Sequence, residues 1–198
     1  TALGRTTKYR VEQLTTGGQR LLNTFRIGST TETIVGTDGS QTTIYSDGTV
    51  TTLQYGPDPR FGMQSPIVSS STTLTPGGLE RIVSTQRSVT LASASDPLSL
   101  LTQVDNLTVN SRNYLTTYDN ATRTYNLRTP AGRESLVTID IQGRPLSSRA
   151  DPLLAPLETT YTPSGLPARI SWGNQTYTIN YDSHGRPLTS TDAAGNTR

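Results

Sequence analysis

Three stretches of this chain fall into one register. They are Ile139-Asp140-Ile141-Gln142-Gly143-Arg144-Pro145-Leu146, Tyr161-Thr162-Pro163-Ser164-Gly165-Leu166-Pro167-Ala168 and Tyr181-Asp182-Ser183-His184-Gly185-Arg186-Pro187-Leu188. Their glycines stand 22 and 20 residues apart, and a proline follows each glycine two residues later. A recurrence of this length that alternates strand and turn signals marks a repeat architecture. Glycine supplies a positive-φ turn position without steric strain. Each unit therefore reads as a β-hairpin. One hairpin cannot bury its apolar face alone, so the repeat predicts an all-β fold: antiparallel hairpins side by side in one continuous sheet with a shared, tyrosine-rich inner face.

The rest of the chain agrees with strands and turns. Tyr177, Ile179 and Tyr181 alternate with Thr178 and Asn180, and Val137, Ile139 and Ile141 with Thr138, Asp140 and Gln142. That period of two is the signature of a strand. Asp38-Gly39 and Asp47-Gly48 predict two-residue hairpin turns, with one short strand between them. Further turns are expected at Gly17-Gly18, Pro76-Gly77-Gly78, Pro130-Ala131-Gly132, Gln142-Gly143 and Ser164-Gly165. The prolines of 55–66 and 148–158 suit loops or edge positions. Asp96-Pro97 offers a cap for one short helix or a turn. No boundary divides the chain, so residues 1–198 are expected to form a single segment, with divergent hairpins over 1–136 and the clearest repeats over 137–198. Both ends read as cuts through a larger protein.

Composition narrows the function. Hydrophobic residues make up 31% and charged residues 16%, and the net charge is +2 with a pI near 9.0. The basic residues are scattered, whereas a nucleic-acid surface needs a basic stripe. There is no cysteine, hence no disulfide and no thiolate zinc site. No apolar run approaches the roughly 18 residues of a membrane-spanning helix, so no membrane insertion is expected of this segment.

The stretch Tyr181-Asp182-Ser183-His184-Gly185-Arg186 with Gly195 after it resembles the YD repeat of the Rhs family, whose consensus is Tyr-Asp-x-x-Gly-Arg-Leu followed by a further glycine. Pro187 is inserted before Leu188 relative to that pattern. The match is strongest over 177–196 and extends over 137–168. The Asp-Gly-Thr-rich opening and Gly56-Pro57-Asp58-Pro59-Arg60-Phe61-Gly62 are similar to the teneurin-like branch. The resemblance implies a long hairpin sheet that spirals into a hollow shell. In toxin members such a shell encloses an effector, and in teneurins it stands on the cell surface. The Asp-Pro-x-Gly signature of self-cleaving bacterial shells is missing at Asp58-Pro59, Asp96-Pro97 and Asp151-Pro152.

The chemistry-bearing residues point the same way. His184, the single histidine, lies in a polar turn beside Gly185; a catalytic role would need a nucleophile and an orienting acid arranged around it, and a solvated turn residue is the expected reading. Asp38, Asp47, Asp119, Asp140, Asp182 and Asp192 sit in or beside turns, where aspartate bonds its own backbone; none shows the dense spacing of a calcium loop. The tyrosines are expected to pack inward, with their hydroxyls met by Thr, Asn or Arg. Asn106, Asn120 and Asn174 begin N-glycosylation patterns. The expected structural residues are Gly143, Arg144, Tyr161, Gly165, Tyr181, Asp182, Gly185 and Arg186, with Trp172 as a candidate ligand contact. No catalytic residue, cofactor or metal is assigned. The reading is a non-enzymatic shell segment, secreted or at a cell surface. Its partners are neighbouring repeats of the same polypeptide or of a homo-oligomer, and an enclosed effector, a receptor or a glycan. An adhesion or carbohydrate-binding module is the alternative. A glycoside hydrolase would need two opposed carboxylates.

Overall fold

A computed structural model describes residues 6–198. The first strands are β1 (Lys8–Gln13), β2 (Gln19–Thr24), β3 (Thr30–Val35), β4 (Gln41–Ile44) and β5 (Val50–Asp58). Longer ones follow, β6 (Gly62–Leu74), β7 (Glu80–Leu91), β8 (Leu100–Val109) and β9 (Arg112–Asp119). The remainder are β10 (Thr124–Arg128), β11 (Glu134–Ile139), β12 (Pro145–Arg149), β13 (Leu157–Tyr161), β14 (Pro167–Trp172), β15 (Gln175–Tyr181) and β16 (Pro187–Thr191). They pair in chain order as one antiparallel sheet, each strand beside its sequence neighbours. Two compact units are distinguishable. One takes in the described residues up to Ser88 with Asp105–Asn113, the other Val89–Val104 with Tyr114–Arg198.

The strands carry few charges and many threonines, because a pleated surface rewards β-branched side chains. Threonines also answer one another across the ladder. Thr33 faces Thr43, Thr51 faces Thr73 and Thr124 faces Thr138, with hydroxyls 3.0, 3.3 and 3.2 Å apart. Opposite hydroxyls thus satisfy each other without a charged partner.

Among the described residues no hydrophobic side chain is buried. The accessible surface is 13516 Å², against about 9,100 Å² for a compact monomer of this mass. This corrects the expectation of a packed tyrosine face: Tyr9 is 76% and Tyr45 44% exposed. A single sheet covers each side chain only with its neighbours in the plane, so residues end half-buried.

Other expectations are corrected as well. The stretch 55–66 is mostly strand, because β5 and β6 run through it and meet at a turn near Asp58. Pro57 sits where the β5–β6 register slips, between Gly56 and Asp58; a bulge removes the ladder bond that proline cannot make. Of the two forms expected for the Asp96-Pro97 segment, the structure has the turn and not the short helix, with Ser99 N–H on the Asp96 carbonyl at 3.1 Å. The Asp-Gly turns have three-residue loops, described below. True two-residue loops lie elsewhere, at Asn110-Ser111 (φ 45° and 66°) and at Gly173-Asn174 (Gly173 φ 56°).

Substitution separates backbone strain from crowding in the aligned glycines. Gly143 and Gly185 have φ near 80° and 78°, but a methyl group on Gly143 meets nothing, whereas on Gly185 it lies 3.3 Å from Leu166 Cδ1. Gly143→Ala is expected to cost about 1 kcal/mol from the left-handed backbone alone, and Gly185→Val distinctly more. Thermal melts of both variants check the order; equal melting temperatures would remove the crowding argument.

Candidate functional site

One turn recurs along the chain, at 14–18, 25–29, 36–40, 45–49, 75–79, 129–133, 140–144, 162–166, 182–186 and 192–196. In each, the N–H of residue one donates to the carbonyl of residue five, and the N–H of residue four to the carbonyl of residue one. Residue four is always glycine, with φ between 77° and 88°. This is a three-residue hairpin loop, a type I turn closed by a left-handed glycine that makes a bulge. An Asp-Gly pair at positions three and four therefore needs positive φ only at the glycine, which is why the two-residue reading fails.

In eight of these turns a side chain then takes up the N–H of residue five. In the aspartate-first turns one carboxylate oxygen does this. Asp140 Oδ1 accepts from Gln142 N–H and Arg144 N–H at 2.8 and 2.9 Å, and Asp182 Oδ1 from His184 N–H and Arg186 N–H at the same distances. Asp192 accepts likewise from Ala194 and Asn196. Thr75, Thr129 and Thr162 supply a hydroxyl in that place, each 3.1 Å from the fifth N–H. In 36–40 and 45–49 the third-position Asp38 and Asp47 reach Ser40 and Thr49 N–H.

The second aspartate oxygen meets the side chain of residue five. Arg144 Nε reaches Asp140 Oδ2 at 2.6 Å and Arg186 Nε reaches Asp182 Oδ2 at 2.7 Å. This explains an aspartate first and an arginine fifth, with glycine between them. The carboxylates respond. Burial pushes Asp140 up, but the Arg144 N–H, the Arg144 guanidinium and the Gln142 N–H outweigh it and hold it below its ordinary value. The Arg186 N–H, against some burial, does the same for Asp182 with help from its guanidinium.

Turns on one edge also lock to each other. Tyr161, last in β13, donates its hydroxyl to the Pro145 carbonyl at 2.8 Å, and its ring lies under the Arg144 guanidinium, 4.4 Å from centroid to Cζ. Tyr181, last in β15, donates to the Pro167 carbonyl at 2.8 Å. A methyl group on Gly165 would stand 3.0 Å from Arg144 Nη1, and one on Gly185 would press on Leu166. Each turn thus rests on residue five of the turn before it. Tyr118 meets an asparagine side chain as expected from sequence, its hydroxyl on Asn120 Oδ1 at 3.2 Å, whereas the hydroxyls of Tyr161 and Tyr181 reach proline carbonyls.

In the first unit, arginines do the joining. Arg87 forks onto Asp105 at 2.6 and 3.1 Å and reaches Asp58 Oδ2 at 3.0 Å. Asp58, 4% exposed, is the one buried polar residue among those described; its other oxygen accepts from Arg60 and Phe61 N–H. Burial pushes the Asp58 carboxyl up, yet the Arg60 N–H and Arg87 guanidinium bring it below its ordinary value. Arg20 similarly joins Glu12 and Glu32 on the strands to either side. Sequence reasoning did not single out Arg87, Asp105 or Arg20, since nothing local marks a partner 18 residues away.

The remaining candidates sit as follows. His184 is exposed, with its ring near the Ser183 hydroxyl at 3.3 Å. Trp172 is 55% exposed and donates its indole N–H to the Ala155 carbonyl at 3.0 Å. Among the described residues no group of three His, Asp or Glu is placed to hold a metal ion. The carboxylates with displaced pKa, from Glu32 to Asp192, all move down, opposite to the upward shift a general acid needs. Asn174 lies exposed in the β14–β15 loop and Asn120 in the β9–β10 loop, while Asn106 is half-buried within β8.

Fold and turn chemistry together define a β-hairpin repeat protein. The chain belongs to the Teneurin YD-shell family, whose model matches residues 3–198. Among solved structures it is similar to a crystal structure of TcdB2-TccC3-TEV and to a Photorhabdus luminescens Tc holotoxin pore with a TccC3 mutation. Both are 14% identical with a TM-score of 0.38, and each alignment covers 89% of this chain and 11% of the other. No curated protein matches.

Acid is expected to loosen the structure. A carboxylate held low contributes stability that is full above its unfolded value, 3.8 for aspartate, and is lost as pH falls through the lower folded value. Melting temperature should therefore drop below about pH 4. Arg87→Met removes the hydrogen-bonded guanidinium from Asp58 and leaves the Arg60 guanidinium at 3.9 Å; it is expected to cost about 1–2 kcal/mol at neutral pH, allowing for solvent around Arg87. It should also flatten the acid decline; a variant with an unchanged pH profile would show that Asp58 does not depend on Arg87.

Proposed function

We propose that this chain is a section of wall in a β-hairpin shell, non-enzymatic, which encloses an effector or forms a cell-surface scaffold. The observation that carries the reading is the locked turn series 140–144, 162–166 and 182–186. It builds a surface of any length by repetition. A sheet without a buried core suits a wall that has solvent or cargo on its faces. The family supports a structural shell segment. Residues 1–198 act as one segment in this reading, secreted or at a cell surface, with neighbouring repeats as first partners. Gly143, Arg144, Tyr161, Gly165, Tyr181, Asp182, Gly185 and Arg186 serve as its structural residues.

The outer side of β1, and of β16 beyond its Ser190–Arg198 and Thr191–Thr197 pairs, presents main-chain groups at a sheet edge, which invites pairing with further strands. Light scattering after size-exclusion chromatography, with circular dichroism on the same sample, is expected to show β-rich chains whose mass rises with concentration. A strictly monomeric folded chain at all concentrations would count against the wall.

Adhesion through Trp172 is the second reading, and its support is the exposure of Trp172 and of Leu157 paired opposite it, with Leu153 and Leu154 exposed in the 150–156 loop. The wall reading expects Trp172→Ala to loosen the loop held at Ala155 and to leave glycan-array signals unchanged. Glycan binding that Trp172→Ala abolishes would favour adhesion.

A further inference from the structure

Tyr118 on β9 stands directly opposite Tyr125 on β10, with ring centroids 4.5 Å apart and ring planes tilted by 34°. Among the described residues no other two tyrosine rings are in contact. The contact is held from several sides. Asp119 and Thr124, the next pair of the same ladder, close the loop 120–123, and Asp119 Oδ1 accepts from the Thr122 N–H and hydroxyl at 2.8 and 3.0 Å. Tyr118 donates its hydroxyl to Asn120 Oδ1 at 3.2 Å. On its far side Tyr125 pairs with Val137. Both tyrosines are half-buried, so solvent reaches the rings while the main chain beneath them is fixed.

Two phenols in contact have a chemistry that a lone tyrosine lacks. A one-electron oxidant takes an electron and the hydroxyl proton from a phenol. The spin of the resulting radical is shared between the oxygen and the ring carbons beside it. When both rings are oxidised, a bond forms between one such carbon on each. The hydrogen on each joined carbon then moves as a proton to the oxygen of its own ring, which restores both phenols. The sum is one carbon–carbon bond gained, with two electrons and two protons lost. Hydrogen peroxide, acting through a haem peroxidase, takes up those electrons and protons and gives two waters. Contact makes the coupling intramolecular, so neither ring has to find a partner by diffusion. Directly opposite side chains start about 5 Å apart at Cβ, and the product asks for side-chain rotation without a change of register. The other tyrosines are placed differently: Tyr161 and Tyr181 engage proline carbonyls, and Tyr9 is exposed without a ring beside it.

We propose that Tyr118 and Tyr125 are a cross-linking site, joined by peroxidase-type one-electron oxidation into a dityrosine that closes the β9–β10 hairpin. The link stops the hairpin from unzipping at that rung. In a sheet with no buried hydrophobic side chain among the described residues, a covalent rung resists opening where packing offers little. The link goes beyond the wall reading, which neither requires it nor falls with it.

The test treats the complete chain, dilute, with a haem peroxidase and hydrogen peroxide. The expected product is a monomer lighter by two hydrogens, with dityrosine fluorescence. Trypsin cuts after Arg112, Arg123 and Arg128, so the link is expected to join peptides 113–123 and 124–128. Fragmentation of the joined pair should place it on Tyr118 and not on Tyr114. Tyr118→Phe and Tyr125→Phe keep a ring in place, and each is expected to lose nearly all of the signal; Tyr114→Phe should leave it unchanged. Circular dichroism of each variant checks that the sheet is intact. In denaturant the sequence separation persists without the ladder, and the coupling is expected to disperse over other tyrosines and between chains. The linked chain should melt at a higher temperature than the unlinked one. Fluorescence that survives in either phenylalanine variant, a link mapped to another pair, or an equal yield of this link in denaturant overturns the proposal. Oxidation at exposed Tyr9 with no joined peptides overturns it as well.

Discussion

A sheet one layer deep has almost nothing to hide its side chains behind, so its cohesion falls to the main-chain bonds between neighbouring strands and to whatever fixes the turns that join them. The recurrent turn solves the second problem with two small devices. A left-handed glycine lets the chain reverse in three residues, and in eight of the ten turns a side-chain oxygen takes the N–H of the fifth. Asp140, Asp182 and Asp192 use a carboxylate for this, and Thr75, Thr129 and Thr162 a hydroxyl. The strands that leave such a turn start in register, and each hairpin is specified by residues close in sequence. A repeat array then gains stability mainly from unit and nearest-neighbour contributions.

Local signals were legible for the same reason. Glycine, proline and aspartate at fixed offsets identified the turns at Gly143, Gly165 and Gly185, and alternation identified β11 and β15. The turn type at Asp38-Gly39 was misread because a dipeptide does not say whether one or two residues take positive φ. The strands through 55–66 were missed because Pro57 and Pro66 normally argue against a ladder, and a register slip is invisible in one sequence. The tyrosine spacing was seen, but its meaning was not: Tyr161 and Tyr181 reach proline carbonyls of the preceding hairpin, a partner that no side-chain inventory includes.

Arginine takes the joining role wherever tyrosine does not. Arg20 spans Glu12 and Glu32, and Arg87 spans Asp58 and Asp105. The planar fork serves carboxylates on both sides at once in a fixed geometry, where lysine offers a point charge on a flexible stem. These ties raise the arginine pKa still further and hold carboxylates such as Glu32 and Asp58 low, through the Arg20 hydrogen bond at Glu32 and through backbone and Arg87 hydrogen bonds overcoming burial at Asp58. The arrangement stays charged and connected across neutral pH, as a mechanical element should.

The unequal repeat lengths show which edge is constrained. The five-residue turns 140–144, 162–166 and 182–186 do not vary, and the following proline is always present. The difference between 22 and 20 residues arises at the other end of the strands, where β12 and β13 are joined through 150–156 while β14 and β15 are joined by Gly173 and Asn174 alone. Tyrosine locking and glycine contact fix the first edge, because an inserted residue there would move Tyr161 or Gly165 off its partner. On the second edge the tie is the Trp172 indole N–H on the Ala155 carbonyl, which leaves the loops free to differ in length, as 150–156 and Gly173-Asn174 do. That edge carries Leu153, Leu154 and Trp172 in exposed positions. A wall of this construction can therefore acquire a new contact surface on its second edge without disturbing the series of turns that holds it together.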